Sequence, residues 1–343
     1  MADLPKNIGW IGLGAMGYPM ATNLLQKMSP ETHFHVYDVV QASIDTFVKD
    51  GAGRVHVCTS SKEVTDKSDL ILSMVPEGSH VRAVYLDPRT GVLASPSLSN
   101  PKLLIDCSTI DPATSLAVRS ALGTQHPRAT FLDTPVSGGV LGAQKATLTF
   151  MLGCSETDPH LPLLQALLGL MGGNLFPCGG PSLGLTAKLC NNYCSSLITL
   201  ATCEAMNLGI ASGMDPRVLA NIFHTSTAQS AIADDWNPVP GLCPEAPASR
   251  GYVGGFRVGL MAKDVGLAVE SAEAVGVELV LGRVGLGVYR KAAGDERYRE
   301  LDSRVVYRVL GGREDWRGDF PGEVGMRRDE TRRLLKRARE EGL

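Results

Sequence analysis

The chain has 343 residues, about twice the length of a typical single domain, which favours two domains. Hydrophobic residues make up 44% of the chain and charged residues 20%, a globular composition that argues against wholesale disorder. The formal net charge of -3 excludes the global basic field on which nucleic-acid-binding proteins depend, and no apolar run is long enough to indicate a membrane span. The eight cysteines form no C-x-x-C pair, so we interpret them as reduced thiols of an intracellular protein.

The first half of the chain alternates strand-like and helix-like segments. A helix is predicted over Pro19 to Lys27, and the nearly continuous apolar run from Asp69 to Val75 is typical of a strand buried on both faces. Further strands are predicted at Asn7 to Ile11, His33 to Asp38, Lys102 to Cys107, Thr130 to Asp133 and Thr147 to Leu152. This alternation indicates an α/β fold, a doubly wound, mostly parallel sheet of the Rossmann type.

The pattern changes after Gly180-Pro181, where strand signals stop. One long helix is predicted from Leu183 to Gly213 and a second over Pro216 to His224, followed by a Pro-rich loop and two more helices, one around Lys263 and one near Val284 to Ala293. We therefore predict a Rossmann domain over residues 1–182 and an all-helical domain over 183–311. Residues 312–343 form an Arg-rich charged stretch, whose late part, Arg327 to Glu341, is compatible with a charged helix. We interpret the stretch as a solvated or disordered tail, and weak binding of an anionic partner is the alternative.

A G-x-G-x-x-G sequence follows the first strand and opens the first helix. Gly12 allows the tight turn, Gly14 lets the backbone approach a pyrophosphate, and Gly17, directly after Met16, lets helix and strand pack closely. Asp38 ends the second strand, where a carboxylate binds the adenosine ribose hydroxyls and repels a 2′-phosphate. Because no Arg follows at residues 39–41, we predict NAD rather than NADP as the cofactor.

Two further segments carry polar groups in apolar surroundings. Ser137-Gly138-Gly139 offers a hydroxyl and unshielded backbone N–H groups, which suit a carboxylate, although an ordinary Gly-rich turn is the alternative. Lys188 and Asn192 are four residues apart on the long helix and so share a face. A lysine among apolar residues there can exchange a proton, whereas a snorkelling lysine is the structural alternative.

Taken together, these segments resemble the β-hydroxyacid dehydrogenase family, which includes 6-phosphogluconate and 3-hydroxyisobutyrate dehydrogenases. Four elements occur in order over residues 7 to 311: the glycine fingerprint, the D-x-P-V-S-G-G run, the K-x-x-N-N helix and the M-A-K-D helix. The sequences Glu204 to Gly209, N-P-V-P-G at Asn237 to Gly241 and Thr147 to Met151 are most similar to the 3-hydroxyisobutyrate dehydrogenase branch.

The resemblance implies a role for each matching residue. Lys188 corresponds to the catalytic lysine, Asn192 to the asparagine that orients the reacting group, and Ser137, Gly138 and Gly139 to the carboxylate-binding turn. The residues expected to line the cofactor are Gly12, Gly14, Met16, Gly17, Asp38, Val75, Pro76, Thr109 and Lys263. No metal is expected, and the active site is expected in the cleft between the two domains.

The resemblance also implies the reaction, NAD-dependent oxidation of 3-hydroxyisobutyrate to methylmalonate semialdehyde in valine breakdown. The alternatives are a related semialdehyde or glyoxylate reductase and, more remotely, a non-catalytic oligomeric scaffold, against which the retained Lys188 argues. A small hydroxy acid is the expected partner, in a homodimer or homotetramer without membrane or nucleic acid. The resemblance places a eukaryotic protein in the mitochondrial matrix and a bacterial one in the cytoplasm. Because the first predicted strand begins at Asn7, we expect no presequence unless the chain is trimmed.

Overall fold

The computed structural model describes residues 4–322 of the chain. These residues form two compact units, the first ending at Cys190 and the second beginning at Asn191. The division falls within the long helix, whereas the sequence analysis puts the domain boundary before it. Leu185, near the start of that helix, is buried in a hydrophobic core of the first unit, so the early helical residues pack with the segments that precede them.

The first unit contains strands and helices in alternation. Its strands are β1 (Asn7–Ile11), β2 (His33–Tyr37), β3 (Val55–Val57), β4 (Leu70–Ser73), β5 (Leu103–Asp106), β6 (Thr130–Asp133), β7 (Val136–Ser137), β8 (Leu148–Leu152) and β9 (Gly172–Pro177). Its helices are α1 (Gly17–Lys27), α2 (Gln41–Asp50), α3 (Ser61–Lys67), α4 (Gly78–Leu86), α5 (Pro112–Gln125), α6 (Gly139–Gln144) and α7 (Leu161–Leu168), and α8 (Leu183–Ala211) begins in it.

Within the described residues, β1 to β6 form one parallel sheet in the order β3-β2-β1-β4-β5-β6. The chain adds β2 and β3 on one side of β1 and then β4, β5 and β6 on the other side. This is the doubly wound topology that the sequence predicts. Successive residues of β1 enter different cores: Ile8 and Trp10 lie in one, and Ile11 lies in the other. The central strands are therefore buried on both faces, which explains why β1, β4 and β5 are mostly apolar, whereas the outer strands β2 and β3 carry histidines.

The strand predicted at Thr147 to Leu152 is present as β8, but it lies outside the parallel sheet. It pairs antiparallel with β7 and parallel with β9 in a separate three-stranded sheet. The chain turns back after β7 through the short helix α6, so β8 returns beside β7 instead of extending the main sheet.

The second unit is helical in the part of the chain that the structure describes. It contains the rest of α8, α9 (Pro216–Thr225), α10 (Ala231–Asp234), α11 (Val258–Ala274), α12 (Gly282–Gly294) and α13 (Val306–Val309). Its mainly aliphatic core includes the buried aromatic residues Tyr252, Tyr289, Tyr307 and Trp316, and the polar atom of each is hydrogen-bonded. The Tyr252 hydroxyl donates to the Pro238 carbonyl at 2.8 Å, and the Tyr289 hydroxyl donates to the Ser196 carbonyl at 2.9 Å. The fold class predicted from the sequence is thus confirmed.

The first residues of the segment that begins at Gly312 still pack against this unit. Trp316 is buried, and its indole N–H donates to the Pro240 carbonyl at 3.0 Å. Two later side chains, Tyr252 and Trp316, therefore donate hydrogen bonds to carbonyls of the N-P-V-P-G loop. The rest of the predicted tail, including Arg327 to Glu341, lies outside the described residues.

Helix α8 is long and apolar enough to cross a bilayer by length and composition alone, a test that the long core helix of a water-soluble fold also passes. Lys188 and Asn192, which carry the predicted chemistry, are among the polar residues that this helix buries.

Candidate functional site

The glycine-rich turn between β1 and α1 has the geometry that a dinucleotide requires. Gly12 has a φ of +97°, and a Cβ atom there would lie 2.2 Å from the Met74 carbonyl oxygen, so only glycine fits. A Cβ on Gly17 would lie 2.1 Å from the Gly12 carbonyl oxygen, whereas the space around Gly14 is open. The turn is thus tightly packed at Gly12 and Gly17 and open at Gly14, which allows a pyrophosphate to approach the backbone closely.

Asp38 is hydrogen-bonded directly to this turn, a contact that the sequence does not predict. One carboxylate oxygen accepts a hydrogen bond from the Leu13 N–H at 2.5 Å, and the other accepts one from the Val40 N–H at 2.7 Å. The carboxylate therefore lies beside the fingerprint at the end of β2. A partly buried negative charge in this position suits ribose hydroxyls and opposes a phosphate.

The predicted nicotinamide-lining residues follow neighbouring strands of the sheet. Val75 and Pro76 come after β4 and Thr109 comes after β5, so both loops leave the carboxyl edge of the sheet side by side. Ser108 joins the two loops, because its hydroxyl accepts the Val75 N–H at 2.9 Å and donates to Asp106 at 2.7 Å. Burial raises the pKa of the Asp106 carboxyl to about 6, although hydrogen bonds from serine hydroxyls oppose that rise.

Lys188 and Ser137 meet within the first unit. The Lys188 ammonium donates to the Ser137 hydroxyl at 2.9 Å, and only 7% of the lysine is exposed. Gly138 has a φ of +131° and Gly139 a φ of +63°, so the turn after Ser137 favours glycine at both positions, most strongly at Gly138. This turn presents backbone N–H groups beside a buried cation, a combination that suits a carboxylate and a reacting hydroxyl.

Asn192 and Lys263 share a partner within the second unit. The Asn192 amide donates to Asp264 at 2.6 Å, and the Lys263 ammonium lies 3.2 Å from the other oxygen of that carboxylate. Asp264 is 2% exposed, so it is a buried anion that orients both side chains. The sequence predicts no role for Asp264, since nothing in it reveals the contact of this carboxylate with a residue on α8.

Asp133 is a second residue whose role the sequence analysis misses. It ends β6 and is 2% exposed. Its two oxygens accept the N–H groups of Ser182 at 2.8 Å and Leu185 at 3.0 Å, at the start of α8. Burial raises the pKa of the Asp133 carboxyl, and these backbone hydrogen bonds partly offset that rise.

Comparison with known proteins identifies the family of the chain. Residues 7–180 match the NAD-binding domain of 6-phosphogluconate dehydrogenase, and residues 183–310 match the NAD-binding domain of NADP-dependent 3-hydroxyisobutyrate dehydrogenase. The chain is 41% identical to the probable mitochondrial 3-hydroxyisobutyrate dehydrogenase of Dictyostelium discoideum, over 89% of this chain and 91% of that protein.

Two bacterial proteins are also similar. The NAD-dependent L-serine dehydrogenase of Pseudomonas aeruginosa is 39% identical over 89% of this chain and 98% of its own length. The structure of Mycobacterium tuberculosis 3-hydroxyisobutyrate dehydrogenase with L-serine superimposes with a TM-score of 0.80 at 31% identity, over 89% of this chain and 99% of that one. On this evidence the chain belongs to the 3-hydroxyisobutyrate dehydrogenase family of NAD-dependent dehydrogenases.

Proposed function

We propose that the chain oxidises 3-hydroxyisobutyrate to methylmalonate semialdehyde with NAD, a step of valine breakdown. The observation that supports this most is the buried Lys188 ammonium, 2.9 Å from the Ser137 hydroxyl. A buried lysine beside a hydroxyl-bearing, glycine-rich turn suits a substrate that carries both a carboxylate and an alcohol.

Lys188 is the general base of this proposal. Oxidation of an alcohol removes a hydride from carbon and a proton from oxygen, and the nicotinamide, when bound, supplies the hydride acceptor. The neutral Lys188 amine takes the hydroxyl proton, and in the reverse direction the ammonium returns it to the carbonyl oxygen. Such proton transfer contributes about 10²- to 10⁴-fold to the rate.

The remaining residues orient the substrate. Ser137, Gly138 and Gly139 bind the carboxylate, since a hydroxyl and backbone N–H groups are suited to an anion. Asn192 binds the reacting oxygen, and Asp264 fixes its amide in one orientation by accepting from it at 2.6 Å. Much of the remaining rate enhancement then comes from holding the reacting groups in place.

We further propose that NAD is preferred to NADP. The Asp38 carboxylate, fixed by the Leu13 and Val40 N–H groups, supports this preference, because it repels a 2′-phosphate. A matched test compares the ratio of kcat/KM for NAD and NADP in the wild type and in Asp38→Ser. An unchanged ratio would contradict the assignment.

L-serine is the second candidate substrate. It differs from 3-hydroxyisobutyrate by an amino group in place of the methyl group. One relative is named an L-serine dehydrogenase, and one similar structure contains L-serine. A site that buries a methyl group disfavours an ammonium, so the two substrates should differ clearly in kcat/KM.

The experiment that separates these candidates is steady-state oxidation of a panel of hydroxy acids with NAD and with NADP. The panel holds 3-hydroxyisobutyrate, L-serine, 3-hydroxypropionate, 4-hydroxybutyrate and glycerate, and glyoxylate and succinic semialdehyde are tested in the reductive direction. The proposal predicts the highest kcat/KM for 3-hydroxyisobutyrate with NAD. A higher value for L-serine would assign the serine reaction instead, and faster turnover of glyoxylate or succinic semialdehyde would assign a reductase.

We also propose a homodimer or homotetramer. Val275, Val280 and Val284, at the turn between α11 and α12, are each at least 70% exposed, so the second unit leaves aliphatic surface uncovered. Light scattering after size-exclusion chromatography tests this, and a monomeric mass would contradict it. The mitochondrial relative supports a matrix location for a eukaryotic chain, and the Pseudomonas relative supports the cytoplasm for a bacterial one.

A further inference from the structure

The carboxylate of Asp133 connects the end of β6 to the first turn of α8. Its oxygens accept the Ser182 and Leu185 N–H groups at 2.8 and 3.0 Å, and Ser182 has a left-handed φ of +62°. These are N–H groups that a helix start leaves without intrahelical partners. A buried anion there also faces the positive end of the helix dipole. The carboxylate therefore fixes where α8 begins.

Two glycines lie in close contact with this carboxylate, which leaves no space for a side chain at either position. A Cβ on Gly153 would lie 2.0 Å from one Asp133 oxygen, and a Cβ on Gly184 would lie 2.9 Å from the other. A Cβ on Gly184 would also lie 2.3 Å from the Met151 carbonyl oxygen. The first turn of α8 thus approaches β8 closely, and there is no room for a side chain at Gly153 or Gly184 beside the Asp133 carboxylate.

The hydrogen bonds between Asp133 and the start of α8 lie close in sequence to Lys188 and Ser137. Ser137 follows Asp133 by four residues, and Lys188 follows Leu185 by three, about one helical turn. The carboxylate is therefore anchored close in sequence to both members of the pair, whose ammonium and hydroxyl lie 2.9 Å apart.

We propose that Asp133 is a positioning residue, which aligns Lys188 with the reacting hydroxyl by holding the start of α8. This inference rests on the proposed role of Lys188 as the general base. A shift of about 1 Å in a catalytic group lowers the rate by about 10²-fold, so loosening the start of the helix should affect turnover far more than cofactor binding.

The test compares Asp133→Asn, Asp133→Ala and Lys188→Ala with the wild type. Asn keeps one acceptor oxygen and Ala keeps none. Ser60→Ala is the matched control, because Ser60 caps the helix α3 by accepting the Glu63 N–H at 3.2 Å and α3 carries no proposed site residue. NADH titration gives the dissociation constant and the number of competent sites, and kcat is then expressed per NADH-binding site. Hydrogen exchange of a peptide covering residues 180–190 reports the helix start.

The inference predicts that kcat per NADH site falls by about 10-fold in Asp133→Asn and about 100-fold in Asp133→Ala, with the NADH dissociation constant within about twofold of the wild type. Exchange over residues 180–190 should become faster, and Ser60→Ala should keep the wild-type kcat. A wild-type kcat per site in both Asp133 variants would overturn the inference. So would a loss of NADH sites that accounts for all the lost turnover, since Asp133 would then serve folding alone. If Lys188→Ala itself retains full turnover, the proposed function fails first, whatever the Asp133 variants do.

Discussion

His35 should make the first unit less stable in mild acid. Its ring stacks on that of His56, with centroids 5.1 Å apart, and its Nδ1 is buried with no hydrogen-bond partner among the described residues. Burial, together with the charges of His56, Lys67 and His33, lowers the pKa of His35 to about 4, against the opposing effect of Asp69.

The sign of the effect follows from proton binding. Below its ordinary pKa of about 6.5, His35 takes up a proton in the unfolded chain, but the folded chain resists this down to about pH 4. Stability is therefore fully present above pH 6.5 and falls as the pH drops towards 4. The full shift corresponds to about 3 kcal/mol, and solvent screening of the partly exposed ring reduces the loss between pH 7.5 and 5 to about 1 to 2 kcal/mol.

Urea unfolding at pH 7.5 and pH 5 measures this loss. His35→Phe keeps a ring that can stack on His56 but cannot titrate, and the exposed His80→Gln is the control. The wild type and the control should lose about 1 to 2 kcal/mol more than His35→Phe on going to pH 5. Equal losses in all three proteins would refute the reasoning.

Three further predictions concern cofactor binding and the second unit. Gly17→Ala should weaken NAD binding by at least about 10-fold in calorimetry, because the new Cβ would lie 2.1 Å from the Gly12 carbonyl oxygen; wild-type affinity would show that the turn can relax. Asp38→Ser should improve the use of NADP relative to NAD by about 10- to 100-fold in kcat/KM, since it removes a charge beside the ribose. Asp302→Ala should destabilise the protein by about 3 to 5 kcal/mol in chemical unfolding, because the largely buried Arg304 loses the fully buried carboxylate 2.7 Å from it. A loss below about 1 kcal/mol would mean that water or another group compensates.

The sequence predicts the parts of the fold that have strong local signals. The strand Thr130–Asp133 and the start of the long helix at Leu183 agree with the structure to the residue. The strands β3, β7 and β9 are missed, because β3 and β7 have only three and two residues and β9 contains two glycines and a proline. Such segments carry no usable periodicity and form only where a neighbouring strand pairs with them.

Among the residues of the candidate site, too, only those with a local sequence signal are predictable. Gly12 and Gly17 are predictable because a local motif defines their geometry. Asp264 and Asp133 are not, because their partners lie 72 and 49 to 52 residues away in sequence. Buried carboxylates that orient other side chains are recognised from tertiary contacts, and a single sequence contains no record of those contacts.

The role of Lys188 is the central claim, and one comparison tests it most directly. Oxidation of 3-hydroxyisobutyrate with NAD is measured for the wild type and Lys188→Ala, with NADH titrated into both. The account predicts that kcat falls by about 10²- to 10⁴-fold in the variant while the NADH dissociation constant stays within about twofold. Turnover near the wild-type rate would contradict the assignment of Lys188 as the general base, and loss of NADH binding together with turnover would assign it to the cofactor site instead.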